Sequence, residues 1–382
     1  MAKLKKIKIS DYFCYIMVAA VMLVSFVVAQ TGNLPRSYSN LLVQIAYSII
    51  LAVSLNLVVG FLGELSLGHA GFMCVGAYVG SYIAMQLAEV IDNKLIVLLL
   101  SMIIGGLLAA FFGFLVGLPA LRLKGDYLAI VTLAFGEIVR TIFKNMSVFG
   151  KAMGLSTQAI KYDTRKDTSL YLVSFITVLV VLFFVQNLIR SKHGRAITAI
   201  RDNEIAAKAM GINVTFYKLF VFVIAAFFAG MAGVIYGHYT TPVLYSFFSY
   251  NYSIEILVMV VLGGMASING SIIAAALITF VNFQLQSHLS GDQAALKYLI
   301  YALILIVLVI FNNAPKLAPI KDKFSPKTLL VKAKGHRHPG EIRSDTGDWR
   351  VIPSKIKMDE VLSVDLQQNT EFTPDKPQKG GK

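Results

Sequence analysis

Residues 60–71 read GFLGELSLGHAG, a glycine-rich stretch that separates two long apolar runs. Glycine and polar side chains alternate along it, namely Gly60, Gly63, Glu64, Ser66, Gly68, His69 and Gly71. Lipid offers no hydrogen-bond partner, so unwound backbone at membrane depth occurs only where it is buried in protein or faces a water-filled cavity. Two interpretations follow: a turn at the membrane surface, or a broken helix beside a path through a bilayer.

The composition is that of a membrane protein. Of the 382 residues, 56% are hydrophobic and only 15% are charged, and the mean hydropathy of +0.68 lies outside the balance typical of soluble domains. The net charge of +14 raises the possibility of a nucleic-acid partner. The basic residues lie between apolar runs instead of interleaving with aromatic side chains, so membrane topology accounts for them and no nucleic acid is expected.

Long runs without Asp, Glu, Lys or Arg predict an all-α polytopic protein with about 8–10 transmembrane helices. We expect spans near residues 11–30, 40–60, 69–88, 95–118, 126–143, 170–189, 215–239 and 296–312. The stretch 253–288 is too long for one helix and is interrupted by GGMASING at 263–270. It is therefore divided into a half-span, 253–262, and a helix, 271–288.

Charge distribution suggests three parts of the chain. Residues 1–38 form an N-terminal cytoplasmic segment with the first transmembrane helix, 39–315 form the main transmembrane domain, and 316–382 form a basic cytoplasmic tail that we expect to be disordered. The N-terminal lysines place the N-terminus inside, and counting crossings places the C-terminus inside too. The loop 144–169 falls outside although it is basic.

A second break, at 253–276, follows the same loose order as the first. In both, a short apolar run opens with serine, as in Ser54-Leu55-Asn56 and Ser253-Ile254-Glu255, and leads to a glycine-containing loop. Paired interruptions in the two halves of a transporter indicate its solute path, although chance similarity in a glycine-rich chain is an alternative. The candidate path residues are Asn56, Gly63, Glu64, Ser66, Gly68, His69, Glu255, Gly263, Gly264 and Ser267.

Two further segments carry charge. Glu137 and Arg140 lie three residues apart and so share a helix face, where an ion pair between helices is favoured over contact with a solute. The polar segment 190–214 predicts a helix from Arg195 to Met210 that ends at Gly211. Its alanine-rich, small surface is typical of a helix that docks into a partner's groove.

Four motifs in order resemble the LivM-type permeases, the membrane subunits of ATP-driven branched-chain amino acid importers. They are SLNLVVGFLGELSLGHAGFMCVGAYVG, LPALRLKGDYLAIVTLAFGEIVR, GRAITAIRDNEIAAKAMGINVTFYKLFVFVIAAFFAGMAGVIYG and EILVMVVLGGMASINGS, and the resemblance covers about residues 40–315. The third resembles the Glu-Ala-Ala loop that ATPase subunits grip, but Ile205 stands at the Glu position and Glu204 one place earlier. The implied ATPase-coupling residues are Arg195, Arg201, Asp202, Glu204, Ala206, Ala207 and Gly211.

The resemblance implies an ABC importer permease fold with broken helices, in a bacterial inner membrane. It implies as partners two ABC ATPase subunits, a homologous second permease of the LivH type, an extracytoplasmic amino-acid-binding protein and the lipid bilayer. The chain lacks a G-x-x-x-x-G-K-[ST] loop, so we expect no enzyme activity of its own, no cofactor and no metal. Two alternatives stay open: a permease of the same type for urea or short amides, and an ion-coupled secondary transporter that uses Glu137 or Glu255.

Overall fold

The long apolar runs fold into helices. The computed structural model describes residues 36–123, 125–162 and 169–288, together with residues 15, 18, 19, 21, 22, 303 and 306. In chain order the α-helices of 36–288 are α1 (Arg36–Asn56), α2 (His69–Val75), α3 (Ser81–Ala88), α4 (Lys94–Ala120), α5 (Asp126–Asn145), α6 (Ser169–Arg190), α7 (Lys192–Asp202), α8 (Glu204–Ala209), α9 (Val214–Tyr239), α10 (Tyr250–Gly263) and α11 (Ile268–His288). Two π-helical segments, Leu57–Leu62 and Gly76–Gly80, extend α1 and join α2 to α3.

Six helical segments of the described residues are long and apolar enough to cross a bilayer, which confirms an all-α polytopic membrane protein. They are Ser37–Leu62, His69–Ala88, Lys94–Ala120, Ser169–Arg190, Val214–Tyr239 and Ile268–Leu285. The half-span is confirmed as well. The 14 residues of α10 extend about 21 Å at 1.5 Å per residue, which is shorter than the hydrocarbon core of a bilayer.

One predicted span differs from these six. Helix α5 forms at the expected place, but it is not apolar enough to count as a crossing segment. The reason is its charge, because its 20 residues include Asp126, Glu137, Arg140 and Lys144. The predicted spans at 11–30 and 296–312 lie outside the described residues apart from a few positions, and the tail at 316–382 lies outside them entirely, so the proposed three-part division stays a prediction.

Helix α9 lies at the centre of the described bundle, against α1, α2 and α4. Its glycines allow backbone-to-backbone contact: a Cβ atom added to Gly76 would overlap the carbonyl of Gly230, and one added to Gly233 would overlap the carbonyl of Met73. Lipid tails are as apolar as leucine, so helices in membranes associate by such close packing of small residues. This packing fixes the positions of the chain breaks described below.

We expect Gly76→Ala to destabilise the protein and Gly136→Ala to leave it nearly unchanged. The methyl group at Gly76 has no room, and overpacking of this kind costs about 1–3 kcal/mol. A Cβ atom at Gly136, by contrast, would lie 3.7 Å from its nearest neighbour, the Cα of Gly68, which is an ordinary contact. Thermal unfolding of the two variants in detergent measures the difference, and equal unfolding midpoints would contradict the tight packing of Gly76 against α9.

Candidate functional site

The first break begins where the π-helical end of α1 stops at Gly63. Gly63 is left-handed, with φ 81° and ψ 15°, a conformation that glycine adopts without steric cost. The chain then runs without helix until His69, where α2 begins. Gly63 is exposed and Glu64 is partly buried, whereas Ser66, Gly68 and His69 are buried. Residues 63–68 therefore interrupt the helix where predicted, between two segments that are each long enough to cross a bilayer, and the second half of this break is enclosed by protein. That the break lines a path through the bilayer stays a prediction.

Side chains from other helices satisfy the backbone groups that the break frees. The amide of Leu67 donates to Thr132 Oγ1 of α5 at 3.0 Å, and the amide of Ala70 donates to Ser253 Oγ of α10 at 3.2 Å. No sequence pattern pointed to Thr132, and Ser253 was marked only by its place at the start of the second apolar run. Both lie far from the break in the chain, so only the packing of α5 and α10 against α2 reveals their role.

His69 and Ser66 differ in whether their side chains have a hydrogen-bond partner among the described residues. The hydroxyl of Ser54 donates to the carbonyl of Leu51 at 3.0 Å, which leaves its oxygen to accept from His69 Nε2 at 2.8 Å. His69 thus ties α2 to α1 and is 2% exposed. The Ser66 hydroxyl is equally buried, and among the described residues it has no hydrogen-bond partner.

The second break lies between α10 and α11, as predicted for 263–270. Gly264 has φ 91° and Ala266 has φ 62°, so the chain turns sharply here. Gly263 packs directly against Gly270, where neither position has room for a side chain. Ser267 Oγ accepts from the amide of Gly270 at 3.2 Å and supports the first turn of α11.

Asn56, the last residue of α1, holds the second break. Its Nδ2 donates to the carbonyl of Ser267 at 3.1 Å and to Ser271 Oγ at 2.8 Å, while its Oδ1 accepts from the amide of Ala266 at 3.0 Å. Gly60, in the π-helical segment that leads to the first break, lies beside this junction, and a Cβ atom there would overlap both Asn56 Oδ1 and the Ala266 amide. The end of α1 is therefore joined to the second break, some 200 residues further along the chain.

Glu255 lies near the start of α10. Asn282 Nδ2 of α11 donates to Glu255 Oε1 at 2.9 Å, so this carboxylate links the helices on either side of the second break. Of the ten candidate path residues, Asn56, Gly263, Gly264 and Ser267 come together at the junction. Glu255 is engaged between α10 and α11, and Gly63 to His69 make up the first break.

The polar segment at 190–214 forms two helices, α7 and α8, so the predicted continuous helix from Arg195 to Met210 is wrong. Asn203 separates them with an extended backbone at φ −158°. Its Oδ1 accepts from the amides of Ile205 and Ala206, both at 3.0 Å, and caps a new helix. Gly211, at φ 80°, follows the end of α8 as predicted.

The exposed surface of α7 and α8 includes large side chains as well as the predicted small ones. Ala207 is buried, as is Ile200, but Ile205 is 78% exposed and Met210 is 82% exposed. The remaining predicted coupling positions, Arg195, Arg201, Asp202, Ala206 and Gly211, are exposed, and Glu204 is partly buried. The segment therefore presents two large apolar side chains among charged ones.

A buried lysine connects this segment to the first break. Lys218, in the second turn of α9, is 4% exposed and forms ion pairs with Glu64 in the break and, at 3.1 Å, with Glu204 Oε2 of α8. Sequence reasoning missed Lys218, although an isolated lysine within the predicted span 215–239 was a signal because charge there is costly. Glu64 pairs with Lys218 and does not cap freed backbone amides.

Arg201 makes a second connection to the same break. Its Nη1 donates to the carbonyl of Gly60 at 3.2 Å, while Nε and Nη2 donate to Asp202 Oδ1 at 3.0 and 2.9 Å. A Cβ atom on Gly63 would lie 2.7 Å from Arg201 Cγ, so the absence of a side chain there lets the arginine lie over the break. Helix α7 thus contacts residues 60–64 directly, whereas α8 reaches Glu64 through Lys218.

Glu204 is held ionised. The hydrogen bond from Lys208 Nζ at 2.7 Å, assisted by Lys218, lowers the pKa of the Glu204 carboxyl to about 2 from its ordinary 4.5. Because the folded pKa is the lower one, the ion pairs stabilise the fold fully above about pH 4.5, and this contribution is lost as the pH falls towards 2. At neutral pH the carboxylate carries its full charge.

Glu137 and Arg140 form the predicted ion pair, and it is half-buried. Arg140 Nε donates to Glu137 Oε2 at 2.9 Å, and the two side chains are 26% and 28% exposed. The other carboxylate oxygen of Glu137 accepts from the amide of Tyr250 at 3.0 Å, at the first residue of α10. The pair thus fixes α5 against α10, in agreement with the structural interpretation.

Comparison with known proteins agrees with this architecture. The family model described as "Branched-chain amino acid transport system / permease component" matches residues 37–309. The chain is 37% identical over 268 residues to the high-affinity branched-chain amino acid transport system permease protein LivM of Salmonella typhimurium, covering 60% of this chain and 59% of the relative. LivM of Escherichia coli is 37% identical over 262 residues, with the same coverage.

A different relative, the permease protein LivH of Salmonella typhimurium, is 21% identical over 281 residues, covering 68% of this chain and 88% of the relative. The chain spans about three fifths of the length of the two LivM relatives. No solved structure matches it. On the strength of the match over 37–309, this chain belongs to the family of permease components of branched-chain amino acid transport systems.

Proposed function

We propose that this chain is the membrane-spanning permease subunit of an ATP-driven importer of leucine, isoleucine and valine. The observation that carries the proposal is the pair of polar contacts from α7 and α8 to the first helix break, made by Arg201 to Gly60 and by Glu204 through Lys218 to Glu64. A permease driven by another protein's ATP hydrolysis needs a connection of this kind. The names of the LivM relatives support the cargo.

The proposed complex contains two ABC ATPase subunits, a LivH-type second permease and an extracytoplasmic binding protein that delivers the amino acid. Similarity to both LivM and LivH relatives supports a pair of related permeases. The surface of α7 and α8 is proposed to dock the ATPase, with Ile205 and Met210 as apolar contacts. In this arrangement α7, α8 and both chain termini face the cytoplasm of a bacterial inner membrane.

The proposed solute path runs beside the junction of the two breaks. Closure of the ATPase subunits on ATP would displace α7 and α8, and their contacts would carry this displacement to residues 57–68. Asn56 would pass it on to the loop at 264–267. The buried hydroxyl of Ser66, which has no partner among the described residues, is available to a polar solute.

Two other functions make different demands on the structure. A permease for urea or short amides would share this architecture, and the ligand of its binding protein would separate the two. An ion-coupled secondary transporter needs free carboxylates within its spans. Glu137 is engaged by Arg140 and Tyr250, and Glu255 by Asn282, which favours the ATP-driven function. Uptake that survives loss of ATP but not of the ion gradient would reverse this choice.

We expect the double substitution Ile205→Asp and Met210→Asp to separate the permease from its ATPase. Burying one large apolar side chain contributes about 1.5–3 kcal/mol, so losing two should weaken association at least about tenfold. The measurement is co-purification of the ATPase with the affinity-tagged permease pair, normalised to permease recovered.

Met153→Asp is the matched control, since Met153 is 85% exposed but lies in the loop between α5 and α6. It should leave ATPase recovery unchanged. Undiminished recovery of the ATPase with the double variant would mean that α7 and α8 are not its docking surface.

We expect Asn56→Ala to reduce uptake per inserted permease. The change removes three hydrogen bonds from α1 to the second break and α11, and such bonds within membranes contribute roughly 0.6–2 kcal/mol each. Uptake of labelled leucine by vesicles that contain the complete complex measures the effect. The control is Asn145→Ala, because the exposed Asn145 side chain donates to the carbonyl of Thr141 in its own helix and, within the described residues, joins no other element. Wild-type uptake by the Asn56 variant would contradict a path at this junction.

A further inference from the structure

Lys218 has an unusual environment for a charged side chain. It is 4% exposed, and its ammonium group lies between two carboxylates that belong to different elements, Glu64 of the first break and Glu204 of α8. Burying a charge is costly unless it is paired, and removing one partner leaves the other charge uncompensated. The three charged groups therefore have to stay together when any one of the three elements moves.

The two ion pairs of Lys218 differ in their exposure to solvent. Glu204 also binds Lys208, which is 56% exposed, so this end of the network can exchange partners with solvent. Glu64 is 13% exposed, and Lys218 is the only ion-pair partner found for it within the described residues. The pairing of Lys218 with Glu64 is thus the inner part of the network, shielded from water and counterions.

The neighbouring backbone makes the break responsive to such a connection. Residues 57–62 are π-helical and end at the left-handed Gly63, an irregular helix geometry that occurs frequently at functional sites. Gly60 accepts from Arg201 on one side and contacts Ala266 of the second break on the other. A displacement of residues 60–64 therefore reaches the Asn56 junction directly.

We propose that Lys218 is the positioning residue that couples movement of α7 and α8 to the first helix break. The proposal rests on the proposed function, because it assigns to Lys218 the transmission of ATPase closure. Lys218 touches neither nucleotide nor cargo. Its part is to hold Glu204 and Glu64 to one another, so that α8 and the break move as one body.

The test uses the complete complex in proteoliposomes, with leucine uptake and ATP hydrolysis measured in parallel. In the triple variant Glu64→Gln, Lys218→Met and Glu204→Gln no buried charge is left unpaired, so it should assemble. We expect it to hydrolyse ATP but to lose roughly 5- to 150-fold in leucine taken up per ATP, the range of typical coupling free energies. The single variant Lys218→Arg keeps the positive charge between the two carboxylates, so it should retain most of the wild-type uptake per ATP.

The matched control is the double variant Glu137→Gln and Arg140→Met. It removes a half-buried ion pair within α5, whose Glu137 also accepts from the amide of Tyr250 in α10, so a general loss of stability would affect it too. We expect its ratio of uptake to ATP hydrolysis to stay near that of the wild type. A structural role for Lys218 alone would lower the amount of assembled complex and leave this ratio unchanged.

The outcomes distinguish the two proposals. If the wild-type complex takes up leucine with ATP and the triple variant does so at the same ratio, Lys218 is not the coupling residue while the proposed function stands. If the wild-type complex shows no ATP-dependent leucine uptake, the proposed function itself is wrong, and the inference about Lys218 falls with it. A lower uptake per ATP in the triple variant, together with near-wild-type uptake per ATP in the single variant Lys218→Arg, supports both proposals.

Discussion

A peptide group that leaves a helix and is buried away from water needs another hydrogen-bond partner, and this constraint organises the described part of the protein. The first break exposes the amides of Leu67 and Ala70, and these are satisfied by hydroxyl groups of α5 and α10. The second break is held by the amide side chain of Asn56 on α1. Each break therefore exists only because other helices supply its missing hydrogen bonds, and it cannot be repositioned without them.

Charged side chains that are buried away from water likewise need partners. Lys218 and Glu64 are stable where they lie because they neutralise one another, and Glu204 joins them from α8. Glu204 stands one place before the position that the Glu-Ala-Ala pattern leads one to expect, and we propose that it contributes to coupling through its ion pair with Lys218. Asn203, which caps α8, immediately precedes it.

Close glycine packing supplies the rigid surroundings in which these polar contacts operate. Helix α9 carries Lys218 near one end; further along, its Gly230 packs against Gly76 and α4, and its Gly233 packs against Met73 of α2. We propose that movement in the transport cycle takes place at the polar junctions and not at this tightly packed glycine surface.

The sequence by itself determined the helical membrane fold, most span boundaries, both breaks and the stop at Gly211, because these depend on apolar run length and on the local backbone preferences of glycine. It also paired Glu137 with Arg140 through helix periodicity. Two short-range features were missed, the Ser54 partner of His69 and the helix cap at Asn203 that divides α7 from α8. The sequence did not determine the partners of Glu64 and Asn56 or the role of Lys218. These depend on which helices lie side by side, and contact between residues some 150 to 200 positions apart is decided by tertiary packing and leaves no local pattern.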